Sequence, residues 1–176
     1  MGVTMTCTGG RLAAFFAMDH SLSVPRDVCR YAFKPMNDDR KSKLIARDKA
    51  MRQARDKMLR LVFQYLPTVG FTKAGDGHFV SQTENQTNHI GFQKHTSGRE
   101  VRVMSHVTMD GSTGTSILGP RSDAYTRPNP PNGIRYNLSW STRDEDIARC
   151  ADEYCRFIND VLIGWFANPV SPEGMA

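Results

Sequence analysis

Three histidines, His89, His95 and His106, fall on the polar side of two runs that read as neighbouring strands, and Gln93 and Arg102 share that side with them. Imidazoles brought together across a ladder can hold a transition metal or pass a proton. Two features of the pattern oppose that chemistry. No carboxylate joins these residues in phase to complete a ligand set or orient a base. His89 and His95 also lie six residues apart, roughly 20 Å along a strand, too far to share an ion. The expectation is a polar patch on an open sheet face made by His89, Gln93, His95, Arg102, His106 and, from a later run, Arg135, with no catalytic residue, no metal and no cofactor. An enzyme built on His89, His106 and Arg102 is a further reading, and it requires the three to converge in a pocket.

Other catalytic signatures are missing from the chain. There is no Gly-x-Ser-x-Gly elbow, no phosphate-binding or dinucleotide-binding glycine loop and no His-Glu-x-x-His. Thr113-Gly114-Thr115-Ser116 and Ser97-Gly98-Arg99 have ordinary turn chemistry, and Asp144 and Glu145 suit the first turn of a helix, where they complement its dipole. Cys7, Cys29, Cys150 and Cys155 form no Cys-x-x-Cys pair, and the last two, five apart on a predicted helix, point in different directions. They read as reduced thiols.

The net charge of +5 is local. Between Asp38 and Arg60, Arg40, Lys41, Lys43, Arg47, Lys49, Arg52, Arg55, Lys57 and Arg60 outnumber Asp38, Asp39, Asp48 and Asp56 by nine to four, which accounts for all of it. A helix carrying Arg47, Lys49, Arg52, Arg55 and Arg60 can lie along phosphates, so a nucleic-acid partner is one reading and a solvated basic face the other. The polar sheet face has no stacking aromatics of the kind used on single-stranded RNA.

These side chains need elements to place them. Leu44, Met51, Ala54, Met58, Leu61, Val62 and Tyr65 recur at helical spacing from Lys41 to about Leu66, where Pro67 stops the helix. Residues 68–77 read as turn. Four strands are expected: His78 to Glu84, anchored by Phe79; His89 to His95; Val101 to Met109, reached through the turn Thr96-Ser97-Gly98; and Gly133 to Trp140, where Ile134, Tyr136, Leu138 and Trp140 alternate with Arg135, Asn137 and Ser139. The intervening 110–132, rich in Gly, Ser and Pro, reads as a long structureless loop and a candidate contact surface. Thr142-Arg143-Asp144-Glu145 matches a capping box, and Ile147, Ala151, Tyr154, Cys155, Ile158, Val161, Leu162 and Trp165 follow at helical spacing until Asn168-Pro169. One-sided alternation in the strands implies an antiparallel sheet with one covered face.

The expected fold is therefore α+β and two-layer: two helices on one face of a four-stranded, mainly antiparallel sheet in the order α-β-β-β-β-α, spanning 39–168. Residues 1–38 read as a poorly ordered extension and 169–176 as a tail. The stretch Leu12-Ala13-Ala14-Phe15-Phe16-Ala17-Met18 is too short and too poorly flanked for a secretion signal, and initiation at Met18 or Met36 is an alternative for this end. No apolar run approaches the roughly 20 residues of a bilayer-spanning helix, so no membrane partner is expected.

Val69-Gly70-Phe71-Thr72-Lys73-Ala74-Gly75, with Phe79 and then Ile90-Gly91-Phe92-Gln93-Lys94, resembles an uncharacterised bacterial family, domain of unknown function 4304. The resemblance covers roughly residues 41–168. It implies a leading helix, a Gly-Phe-x-Lys-x-Gly turn, a strand ending Phe-Gln-Lys, further strands and a closing helix, in a bacterial protein, and it carries no activity. The functional expectation is a non-enzymatic, cytoplasmic module that recognises another protein, an inhibitor or immunity-type protein being one form, through its open sheet face and the 110–132 loop.

Overall fold

The computed structural model describes residues 37–96, 98–109 and 116–169. The expectations for 1–36, 110–115 and 170–176 lie outside them. Helix α1 (Asp38–Tyr65) starts at Asn37, whose side chain accepts from the Asp39 amide at 3.3 Å, and Asp38 and Asp39 complement the dipole in the first turn. Every side chain from Asp38 to Arg47 is exposed, and burial begins in earnest at Ala54, followed by Met58, Leu59 and Val62. The predicted stripe is therefore half correct: Leu44 and Leu61 face solvent, and Leu59, outside the stripe, is core. Pro67 cannot continue the α-helix. The chain tightens into a 3-10 turn (Leu66–Val69) that ends on Gly70 at φ 86°, a left-handed backbone that glycine enters without a Cβ clash.

Among the described residues five strands follow instead of four. β1 (Thr72–Gly75), β2 (His78–Gln82), β3 (Gln86–Lys94), β4 (Val101–Met109) and β5 (Ser116–Arg121) form an antiparallel meander in chain order. β1 lies in the predicted turn and β5 in the predicted loop, which also holds a 3-10 helix (Ser122–Thr126). β5 contains Pro120, yet it sits at the sheet edge and pairs only with β4, so the missing amide interrupts no second ladder.

Residues 133–140 are not a strand of this sheet. Tyr136 and Leu138 do turn inward, but the backbone is held by other groups. The Tyr136 amide donates to the Tyr125 carbonyl at 3.0 Å and the Asn137 amide to the Glu153 carboxylate at 3.0 Å. The Arg149 guanidinium donates to the carbonyls of Asn137 and Ser139. The alternation arises because a strap is clamped to the final helix, with Ile134 left 45% exposed.

That helix is α2 (Asp144–Phe157), a π-helical stretch (Ile158–Ile163) and α3 (Gly164–Ala167). The capping box does not form: the N-cap is Arg143, without a side-chain cap bond, and the nearby Ser141 hydroxyl accepts from the Arg143 amide and donates to Asp146. The predicted apolar positions are nonetheless buried, with Cys155 only partly so. Phe63 of α1 packs its ring 4.8 Å from Phe79 and 5.1 Å from Phe92, and the Tyr154 hydroxyl of α2 donates to the Val101 carbonyl at 2.8 Å. Both helices thus reach strand residues of the buried phase, and a single apolar cluster joins them. No helix among the described residues is long and apolar enough to cross a membrane.

Candidate recognition face of the sheet

Along β3 and β4 the buried phase is Asn88, Ile90 and Phe92 with Val101, Val103, Ser105 and Val107. The alternate residues point the other way, because successive strand side chains leave opposite faces. Register sets them in rows. Val80, His89, His106 and Leu118 are successive cross-strand partners, as are His78, Gly91 and Met104. Leu118 is 69% exposed and Met104 39%, so the outer face is partly apolar and open to solvent.

The structure brings His89 and His106 together and adds His78. The His89 and His106 rings stack with centroids 4.1 Å apart, and the His78 and His89 rings are nearly parallel at 5.3 Å. His78 Nε2 meets His89 Nδ1 at 3.2 Å, and His89 Nε2 meets the Thr108 hydroxyl oxygen at 3.3 Å, so both His89 nitrogens are engaged. Partial burial first, and the adjacent imidazoles second, hold His89 below the ordinary histidine range; burial first, then His78, does the same for His106. The shift biases the His89 and His106 rings toward the neutral form. His78 was legible in principle: Phe79 points inward, so His78 and Val80 must point outward.

The rest of the expected patch divides. Gln93 and Arg102 are cross-strand partners beyond the imidazoles, and Arg102 Nε donates to Glu100 at 2.7 Å. A shallow cleft of about 200 Å³ there is lined by Gln93, Lys94, His95, Thr96 and Arg102, and neither His89 nor His106 reaches it. The convergence that an enzyme on His89, His106 and Arg102 requires is therefore not found in that cleft. His95 lies past the end of β3, where its amide closes the hairpin onto the Glu100 carbonyl. Arg135 is on the strap, donates to the Thr126 carbonyl at 3.0 Å, and lines a separate cleft of about 600 Å³ with Ser122, Asp123 and Tyr154.

The basic residues of α1 do not form one stripe. At roughly 100° per residue, Arg47, Lys49, Arg52, Arg55 and Arg60 spread over about 220° of the helix circumference. Arg55 is engaged with Asp56, its side chain 13% exposed, and Arg60 Nε donates to the Asp56 carbonyl. Arg47, Lys49 and Arg52 are the exposed remainder, Arg52 lying against the β3–β4 turn at Gly98. Comparison of the chain with protein-family models, with curated proteins and with solved structures finds no match.

Proposed function

We propose that this domain is a non-enzymatic protein-recognition module whose contact surface is the open face of the sheet. The observation that carries the reading is the pairing of Leu118 with His106 and Val80 with His89 in one row, beside exposed Met104. Apolar side chains interleaved with weakly charged imidazoles lose little on desolvation, which is the composition of an interface centre. Contacts of α1 and α2 with the buried phase favour a two-layer arrangement in which both helices cover the other face. The dispersal of the basic residues of α1 favours a protein over a nucleic acid.

The same reading takes the chain as a bacterial, cytoplasmic relative of the domain of unknown function 4304 family. The reading rests on the quoted motifs alone, which have roles in the fold: Gly70 makes the left-handed turn, and Phe71 and Phe92 are buried. An inhibitor or immunity role would be one form of such recognition.

The test is affinity capture from extract of the source organism with the full chain and with Leu118→Lys and Met104→Lys. Both substitutions are at solvent-facing positions, where changes in stability usually stay within about 0.5 kcal/mol. A specific protein should be retained by the original chain and lost with each substitution. Retention unaffected by either substitution, or no reproducible protein, contradicts the reading.

A further inference from the structure

The strap at 133–140 alternates like a strand, yet one of its edges is left incomplete. Toward α2 the Asn137 amide meets Glu153, and Arg149 bonds the carbonyls of Asn137 and Ser139. In a chain whose side chains alternate, successive residues turn their peptide groups to opposite edges, so those of Tyr136 and Leu138 face away from α2. On that edge the Tyr136 amide is taken by the Tyr125 carbonyl at 3.0 Å. The Leu138 amide and carbonyl have no hydrogen-bond partner among the described residues, although Leu138 is only 9% exposed. Buried backbone groups are seldom left so.

Residues 136–139 of the strap line the cleft of about 600 Å³, together with Glu100 and Val101 at the entry to β4. The β4 edge is open there too: β5 pairs with β4 only from Met104 onward, so Val101 has a strand partner, Lys94, on one side alone. Val101, Tyr136 and Leu138 are buried and give the cleft apolar walls. Its two carboxylates are neutralised by arginines that do not line it, Glu100 by Arg102 at 2.7 Å and Asp123 by Arg121 at 3.1 Å. Arg135 donates through Nε to the Thr126 carbonyl and has no carboxylate partner among the described residues, which leaves both terminal nitrogens for a ligand.

We infer that this cleft binds an extended acidic peptide segment of another protein, which adds as a strand to the strap at Leu138 and sets a carboxylate on Arg135. Strand addition supplies an acceptor for the Leu138 amide and a donor for its carbonyl, and a guanidinium fork matches a carboxylate. At roughly 3.3 Å per residue, 136–139 present about 10 Å of edge, a length that suits a strand. A small anion would satisfy Arg135 and leave Leu138 unmet. None of His78, His89, His106 and Leu118 lines the cleft, so the site stands apart from the open sheet face.

The test is nuclear magnetic resonance of the backbone amides of the full chain, titrated to millimolar concentration with a pool of hexapeptides. The peptides are N-acetylated and C-amidated, with one central glutamate among valine and threonine. The Val101, Leu138 and Ser139 amides should shift together, and exchange of the Leu138 amide with solvent should slow. Arg135 is exposed, so Arg135→Gln spares the core. That substitution should weaken binding roughly 10- to 100-fold, the cost of losing hydrogen bonds to a charged group, and glutamine in place of the peptide glutamate should cost about as much. A pool N-methylated on both sides of the glutamate should not bind, and Leu118→Lys should bind as the original chain does. Unmoved amides along 136–139, or equal binding in Arg135→Gln, overturn the site. Sodium acetate or the N-methylated pool moving the Leu138 amide as the acidic pool does overturns strand addition.

Discussion

Replacing Phe157 with alanine should lower the free energy of unfolding by about 3–5 kcal/mol, the usual range for deleting a fully buried aromatic ring. Phe157 ends α2 with no solvent exposure. Its ring lies 5.2 Å from that of Tyr125 on the 3-10 helix and 5.5 Å from that of Tyr136 on the strap, so one side chain joins three segments distant in sequence. Arg156 caps the same group from outside, its guanidinium 4.9 Å from the Tyr136 ring. The two tyrosines cannot easily close over the vacated space, because the Tyr136 amide is tied to the Tyr125 carbonyl. Against a total of about 5–15 kcal/mol for a domain, the loss is large. Urea unfolding measures it, and hydrogen exchange at the Tyr136 amide should accelerate as the strap loosens. A change under about 1 kcal/mol would show that the strap is held by other contacts.

A methyl group added at Gly119 should also be costly, by about 1–3 kcal/mol, because it overpacks a closed site. A Cβ there would collide with Ser105 Oγ and come within 2.6 Å of the Trp165 ring. Neither can retreat freely, since Ser105 is buried with its hydroxyl donating to the Pro120 carbonyl, and Trp165 is wedged against Phe166 in the core. Gly164→Ala is the matched control: that Cβ would meet nothing within 4 Å, and the position is helical at φ −62°. It should gain about 0.5–1 kcal/mol from the reduced freedom of the unfolded chain. Thermal unfolding of the two variants should move in opposite directions; movement together would mean that β5 does not lie against the closing helix.

Gly119 also explains why β5 was illegible. Gly119 and Pro120 read as chain breakers, yet the glycine is required by Trp165, forty-six residues later, and the proline is tolerated because the strand is an edge. Neither reason is local. β3 and β4 were legible because one face is buried and the other is not, which imposes a strict period of two on their residues. The same period misled at 133–140, where Arg149 and Glu153 of α2 provide the bonding partners that a neighbouring strand would have supplied. The candidate patch suffered from phase carried past the strand ends: His95 falls beyond β3, Arg135 belongs to the strap, and His78, one residue before Phe79, was overlooked in a strand with a single apolar anchor. Counting charge along α1 located the basic excess but ignored angle, and angle separates Arg47 from Arg60.

The account turns on a sheet buried on one side and bare on the other. Relaxation enhancement by a soluble gadolinium chelate, read at side-chain methyl groups, tests that most directly. The Leu118 and Met104 methyl signals should broaden strongly while those of Ile90, Val103 and Val107 persist. Protection of Leu118 and Met104 equal to that of Val103 would mean that the outer face is covered, and the proposed recognition surface would not exist.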